Sequence, residues 1–385
     1  MLTLSNLKYL CKMEKMTTSH KIMIAAAQNM QQIKGDSIEL IVTSPPYPMI
    51  EMWDSIMSKQ NPAINKAIEQ NEGLLAFELM HQELDKVWAE MARVLIRGGF
   101  ACINIGDATR TINGDFQLYP NHARIISAFQ KLNIPNLPNI LWRKQTNAPN
   151  KFMGSGMLPS GAYVTLEHEW ILIFRKGGKR QFKTECEKSL RKESSFFWEE
   201  RNIWFSDLWD LKGTRQKIDN SDTRKRSAAY PFELPYRLIN MYSLQGDTVL
   251  DPFLGTGTTT LAAIASKRNS IGYEIDPLFL DIIIENIENT PIDFLNSYIF
   301  NRIEKHKQFV IERSMNPEKD EIKHFNRNLK MPVMTSQETE IKLCFVENMK
   351  ILGDEIVCSY RNINPDAIEL PQKVSKKKEK TLFDV

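Results

Sequence analysis

The chain has 385 residues, 42% hydrophobic and 25% charged, with a formal net charge of +3. Those totals allow about two or three domains with a sizeable core and exclude global disorder, and so small a net charge does not by itself identify a polyanionic partner. No segment approaches the ~20 apolar residues of a membrane span, the N-terminal lysines precede no long apolar run, and the five cysteines form no CxxC pair. The expectation is a cytoplasmic protein without a membrane anchor, a zinc site or a disulfide framework.

Residues 1–19 read as a leader with no legible chemistry, and His20 to Ala25 as a short strand. Asp36-Ser37 turns into an apolar strand, Ile38 to Val42, which stops at Thr43-Ser44-Pro45-Pro46-Tyr47-Pro48. Consecutive prolines fix φ, remove donors and hold the preceding residue extended. The product is a rigid, carbonyl-rich corner with a hydroxyl before it and an aromatic after it. It is suited to a flat ligand bearing an amine, although a plain loop at a strand end would look the same. Residues 49–77 have no clean period and read as a mobile segment with some helix.

Leu79 to Arg97 carries apolar residues at three- and four-residue steps and predicts a helix stopped by Gly98-Gly99. A strand at Phe100 to Ile105, a helix at Pro120 to Leu132 and strands at Asn139 to Trp142 and Glu169 to Phe174 follow. Strands alternating with helices predict an α/β fold, a largely parallel sheet covered on both faces.

Between Arg175 and Arg226 there are 15 Lys and Arg against 9 Asp and Glu, with Phe182, Phe196, Phe197, Trp198, Trp204, Phe205 and Trp209 interleaved. This is either an insertion with a small core of its own or a nucleic-acid-contacting unit. In the second case Arg175, Lys176, Lys179, Arg180, Arg215, Arg224, Lys225 and Arg226 are the candidate phosphate contacts. Helix after Pro231, strand at Thr248 to Asp251, helix at Thr260 to Lys267, strand at Ser270 to Ile275 and helix at Leu278 to Glu288 restore the α/β rhythm. Residues 291–385 read as a partly helical extension ending in five lysines within Lys373 to Lys380.

The turn Asp251-Pro252-Phe253-Leu254-Gly255-Thr256-Gly257-Thr258-Thr259 joins a strand to a helix. Glycines there let a ligand approach the backbone, and a helix N-terminus offers free N–H groups. No Gly-Lys-Ser/Thr follows, which excludes a P-loop, and the third glycine of a dinucleotide fingerprint is absent. Glu274, at the end of the next strand, stands where an acid commonly accepts ribose hydroxyls. Turn and acid together predict an adenosine-bearing cofactor held by Asp251, Pro252, Phe253, Gly255, Gly257, Thr258 and Glu274.

With both constellations in view, the sequence resembles the amino-group DNA methyltransferases of the β group, in which the catalytic motif precedes the cofactor motif. Thr43-Ser44-Pro45-Pro46-Tyr47 matches the catalytic motif, Asp251 to Gly257 the methionine-side loop, and Gly272-Tyr273-Glu274-Ile275-Asp276 the ribose-side strand. Arg93-Val94-Leu95, Gly98-Gly99, Asn104-Ile105-Gly106-Asp107, Trp142-Arg143-Lys144 and His168-Glu169-Trp170 fit as well. Ser227-Ala228-Ala229 stands where the family often has His-Pro, so no cofactor contact is carried over to that place.

The resemblance implies a Rossmann-like S-adenosylmethionine methyltransferase sheet in circularly permuted order, over 20–175 and 227–290. It further implies a target-recognition insertion at 176–226 and a C-terminal extension at 291–385. The implied activity is methyl transfer from S-adenosylmethionine to an exocyclic amine of double-stranded DNA, with Ser44, Pro45, Pro46 and Tyr47 as the catalytic residues. Ser-Pro-Pro-Tyr is most similar to the N4-cytosine enzymes; Asp-Pro-Pro-Tyr is more typical of N6-adenine enzymes, the alternative. The family resemblance alone implies a cognate restriction endonuclease as partner. C5-cytosine chemistry needs a thiolate, typically in a Pro-Cys pair, and no cysteine here follows a proline. A non-catalytic nucleic-acid-binding protein of the same fold would bind the cofactor without turnover.

Overall fold

The computed structural model describes residues 16–144, 153–154, 158–213, 230–316 and 318–365. Strands β1 (Thr17–Ile24), β2 (Ile38–Thr43) and β3 (Leu95–Ile105) precede a small hairpin of β4 (Ala108–Ile112) and β5 (Asp115–Tyr119). Next come β6 (Ile140–Lys144), the two-residue pair β7 (Met153–Gly154) and β8 (Ala162–Tyr163), β9 (His168–Arg175) and β10 (Leu208–Leu211). The second half supplies β11 (Thr248–Asp251), β12 (Asn269–Glu274), the short hairpin β13 (His324–Asn326) and β14 (Met331–Val333), and the long hairpin β15 (Cys344–Leu352) and β16 (Glu355–Asn362). One ten-stranded sheet runs in the order β10-β6-β9-β3-β2-β11-β12-β1-β16-β15. Pairing is parallel from β3 through β2, β11 and β12 to β1. It is antiparallel where β9 and β16 enter.

Helices α1 (Asp54–Gln60), α2 (Pro62–Glu69), α3 (Gly73–Val94) and α4 (Asn121–Lys131) cover one face. After α5 (Glu185–Glu193) and α6 (Trp198–Trp204), helices α7 (Glu233–Tyr242), α8 (Thr258–Ala265), α9 (Phe279–Glu288) and the start of α10 (Ile292–Met315) cover the other. Successive residues of a strand point to opposite faces, and β2 shows why its run is wholly apolar. Leu40 and Val42 join Leu234, Ile239 and Ala263, whereas Ile41 joins Val87, Trp88 and Met91. The expected α/β architecture with helices on both faces is therefore present. Among the described residues no helix is long and apolar enough to cross a membrane.

Several expectations shift. The segment 49–77 is helical and packed, with Met57, Ile64 and Ala67 buried against α3. Its start signal is local: Asn61 caps α2 by accepting from the Ala63 N–H, and Pro62 opens the helix. Helix α3 ends at Val94, and Gly98-Gly99 lies inside β3. Gly98 has φ +88, and a Cβ there would come within 2.4 Å of the Arg180 backbone nitrogen, so it serves a close crossing rather than a helix stop.

The basic stretch and the C-terminal extension share a core. Phe197 packs with Ile299, Ile303, Leu329, Met331, Val333 and Ile341. Arg302 of α10 forms a buried bidentate pair with Glu200 of α6, at 2.6 and 2.9 Å. Phe197, Trp204 and Trp209 are buried, so these three interleaved aromatics are packing residues. Cys186 is disulfide-bonded, which departs from the reading of the scattered cysteines, because sequence spacing does not report proximity in space.

Candidate active site

Parallel pairing of β2 with β11 and of β11 with β12 brings three strand ends to one edge of the sheet. Order along the sheet diverges here, β3 lying on one side of β2 and β12 on the far side of β11, which is where open α/β sheets form their ligand crevice. The Ser44 corner and the Asp251 turn, two hundred residues apart in sequence, are thus neighbours. Thr43 donates its hydroxyl to Asp251 Oδ1 at 2.6 Å and ties them together.

Asp251 is the hub of its turn. Its Oδ1 also accepts the Phe253 N–H at 3.0 Å, and its Oδ2 accepts the Thr259 hydroxyl at 2.5 Å and the Tyr230 hydroxyl at 3.3 Å. Burial pushes the Asp251 carboxyl up, against the pull of these four donors. Gly255 and Gly257 have φ +55 and +86, the left-handed region that favours glycine. Gly257 precedes α8 and supplies no side-chain cap, so among the described residues the first N–H groups of that helix have no side-chain acceptor. Glu274 bridges the Gly255 N–H and the Asp276 N–H, each at 3.0 Å, and burial raises its carboxyl despite those bonds. Each oxygen still has a lone pair for an incoming hydroxyl.

A cleft of about 1120 Å³, counted out to its open mouth, joins the two constellations. Ser44, Pro45 and Pro46 line one side, and Pro252, Phe253, Gly255, Thr258 and Glu274 the other. Trp53, Met57 and Gln60 add a wall from the segment read as mobile. Asp251 and Gly257 stand behind this lining and shape it.

Tyr47 is held by a polar cluster behind the corner. Its hydroxyl lies 3.2 Å from Ser44 Oγ and donates to Glu169 Oε2 at 2.9 Å. Asn104 Nδ2 donates to Tyr47 Oη at 2.8 Å and to the same Glu169 oxygen at 2.6 Å. Lys144 pairs with the other Glu169 oxygen. Burial, followed by the Glu169 charge, pushes the Tyr47 phenol well above its ordinary range, so it stays protonated. Gly106 leaves room for the ring: a Cβ there would meet Tyr47 Cε2 at 2.9 Å. Asn121 then secures the exit of the corner, donating to the Pro48 and Gly106 carbonyls at 3.2 and 3.0 Å, and its own oxygen is 3.0 Å from His81 Nε2. Among the described residues none donates to the Pro45 carbonyl.

The structure brings together the corner residues and the cofactor-turn residues expected from sequence. Among the described residues, it does not bring the basic candidates Arg175, Lys176, Lys179 and Arg180 to them. Arg175 pairs in register with Phe100 early in β3, away from the cleft, and Lys176 and Arg180 follow it. Lys176 is bound to Asp36 and the Leu95 carbonyl, both at 2.7 Å, and Arg180 grips Asp247 at 2.6 and 3.0 Å. Lys179 is exposed on the same turn. Arg215, Arg224, Lys225 and Arg226, and the lysines of 373–380, lie outside the described residues. Asn104, Glu169 and Lys144 were legible only as parts of family motifs, and Asn121 carried no sequence signal.

The DNA methylase family model matches residues 38–285. A Type II methyltransferase of Methanothermobacter thermautotrophicus, M.MthZI, is 52% identical over 353 residues, 91% of this chain and 97% of that protein. M.MjaI, a Type II methyltransferase of Methanocaldococcus jannaschii, is 53% identical over 282 residues, 70% of this chain and 92% of that one. Among solved structures, a putative DNA modification methylase of Thermus thermophilus, complexed with S-adenosyl-L-methionine, superposes with a TM-score of 0.53 at 31% identity. It covers 69% of this chain and 94% of its own. By fold, by the joined corner and turn, and by these likenesses, the chain belongs to the N6/N4 DNA methylase family.

Proposed function

We propose that this chain transfers a methyl group from S-adenosylmethionine to the exocyclic N4 amine of a cytosine flipped out of duplex DNA. The observation that carries the reading is the single cleft lined by Ser44, Pro45 and Pro46 on one side and by the Pro252–Thr258 turn and Glu274 on the other. The donor set fits the cofactor: the uncapped start of α8 suits a carboxylate, Glu274 suits ribose hydroxyls, and Phe253 and Phe279 offer apolar walls. When bound, S-adenosylmethionine supplies an electrophilic methyl group.

An exocyclic amine is a weak nucleophile because its lone pair is delocalised into the ring. The Pro45 carbonyl and Ser44 Oγ are the two acceptors that can take its N–H groups and turn the lone pair toward the methyl. The gain comes from orientation and from dipoles fixed in advance by the double proline. With its hydroxyl tethered, the ring of Tyr47 is a fixed plane beside Ser44 on which a flipped base can stack. Trp53 and helix α1, through Ile56, Met57 and Gln60, form the outer wall of the cleft. The relatives named Type II methyltransferases support a protective role beside a restriction endonuclease.

The test is transfer of a labelled methyl group to duplex DNA, followed by nucleoside analysis of the digest. N4-methylcytosine is expected. N6-methyladenine would overturn the choice of base, which rests on the serine at position 44. Cofactor binding with no transfer to any duplex would favour a non-catalytic nucleic-acid-binding protein.

A further inference from the structure

Methylation of a neutral amine leaves a proton to be removed, and the cluster behind the corner provides a route. We propose that Glu169 is the terminal acceptor of that proton, reached from Ser44 through Tyr47; this rests on the amine-methylation reading above. Once the new N–CH₃ bond has formed, the nitrogen carries one proton too many. Of the two acceptors, only the hydroxyl of Ser44, which lines the cleft, carries a hydrogen of its own to pass on, and a serine hydroxyl cannot keep a second proton. Its own hydrogen must move on. The next oxygen is Tyr47 Oη at 3.2 Å, and beyond it is Glu169 Oε2 at 2.9 Å.

The donors around Tyr47 fix the direction. Asn104 donates to Tyr47 Oη at 2.8 Å, and Tyr47 donates to Glu169. The remaining lone pair of Tyr47 accepts from Ser44, which leaves a Ser44 lone pair for the amine. Asn104 is not the terminal acceptor: a neutral amide is far too weak a base to keep a proton, and its Nδ2 hydrogens are directed to Tyr47 and Glu169. Each hop breaks one bond to hydrogen and makes one. The amine N–H becomes the Ser44 O–H, the former Ser44 hydrogen becomes the Tyr47 O–H, and the former Tyr47 hydrogen ends on Glu169 Oε2. Serine and tyrosine return to neutral, one proton has moved, and Glu169 is a carboxylic acid. Its other oxygen pairs with Lys144, whose side chain is 40% exposed, so the carboxyl group sits beside a side chain that reaches the surface.

A purely structural role explains less. Glu169 is 8% exposed, and holding an ion pair there costs desolvation that an apolar packing would avoid. Glu169 is on this account a positioning and proton-accepting residue that acts through Tyr47, so its test needs a readout that lost packing would not move.

Single-turnover methyl transfer should be followed across pH for the wild type, Glu169→Gln and Tyr47→Phe, with cofactor and DNA affinity and circular dichroism measured alongside. Both variants are expected to fold, to bind both ligands as the wild type does, and to transfer about 100-fold more slowly. The decline of the wild-type rate toward acid pH is expected to vanish in Glu169→Gln, and the wild-type solvent deuterium isotope effect to change in Tyr47→Phe. A folded Glu169→Gln with the wild-type rate or pH profile overturns the relay. If Glu169→Gln does not fold, Tyr47→Phe decides alone, and wild-type rate and isotope effect in it overturn the relay. Wild-type production of an N-methylated base in the same assay keeps the parent reading intact when the relay fails. No product from the wild type removes both.

Discussion

Where the parallel strands begin, charged groups have found their partners: Lys176 pairs with Asp36, Arg180 with Asp247, and Arg268 donates to the Ser243 carbonyl that ends α7. Where the same strands end, polar groups are left facing the cleft. The Pro45 carbonyl has no donor among the described residues, helix α8 starts without a side-chain cap, and Glu274 keeps lone pairs after taking two backbone N–H groups. Both ends are rich in polar atoms, so composition does not separate them. One end has completed its bonds and contributes stability, while the other holds acceptors and donors ready for ligands, and function follows the incomplete set.

Substitutions at the two ends should break in different ways. The largest effect is expected at Asp251, where four donors converge in a buried site. Asp251→Ala leaves two threonine hydroxyls without their acceptor and should destabilise the fold by about 3 kcal/mol, with cofactor binding lost. Denaturant unfolding and calorimetric titration measure both, and wild-type cofactor affinity in this variant would contradict the hub role.

At the opposite end, Arg180→Ala leaves Asp247 without its ion-pair partner, though still accepting the Leu244 N–H, and should cost about 2 kcal/mol in unfolding free energy. DNA affinity and its salt dependence should not change. A salt slope lowered by about 1 would mean that Arg180 meets a phosphate after all, and the contrast between the ends would fail.

Glu274→Gln keeps the size of the side chain but removes its charge, and should weaken S-adenosylmethionine binding about ten-fold with little change in stability. Equal binding would show that the acid only braces the Gly255 turn.

The smallest effect concerns His306, buried in the shared core and stacked on Phe197. Burial opposes its charge, but the hydrogen bond and charge of Glu199 and the Pro332 carbonyl prevail and hold its pKa above 6.5. A group raised on folding contributes fully below the unfolded pKa and loses that contribution as pH rises through the folded one. The melting temperature should therefore fall by about 2 °C as pH climbs through that window, and His306→Gln should flatten the change. A flat wild-type profile would show that the pair is neutral.

The features that were legible in the sequence are those whose cause is local. The double proline, the Gly255-Thr256-Gly257 turn and the acid two residues past Gly272 announce themselves because their backbone chemistry is short-range. Asn61-Pro62 was equally local, but seven- and eight-residue helices are too short to show a period, so the segment that supplies one wall of the cleft was read as mobile. Other features depend on partners far along the chain. Lys176 and Asp36 are 140 residues apart, and nothing in a run of cations tells a paired one from a free one. The glycines at 98 and 99 resemble a helix stop until Arg180 is seen to cross them. Tyr47, Asn104 and Glu169 lie on three separate elements, and only the register of β3 with β9 makes them a cluster.

The central claim is that the corner performs the chemistry and the turn holds the methyl donor, within one cleft. Ser44→Ala tests it most directly, with S-adenosylmethionine affinity and the single-turnover rate of methyl transfer to duplex DNA measured on the same preparation. Affinity within about three-fold of the wild type and transfer slowed by about 100-fold or more are expected. Transfer at the wild-type rate would contradict it.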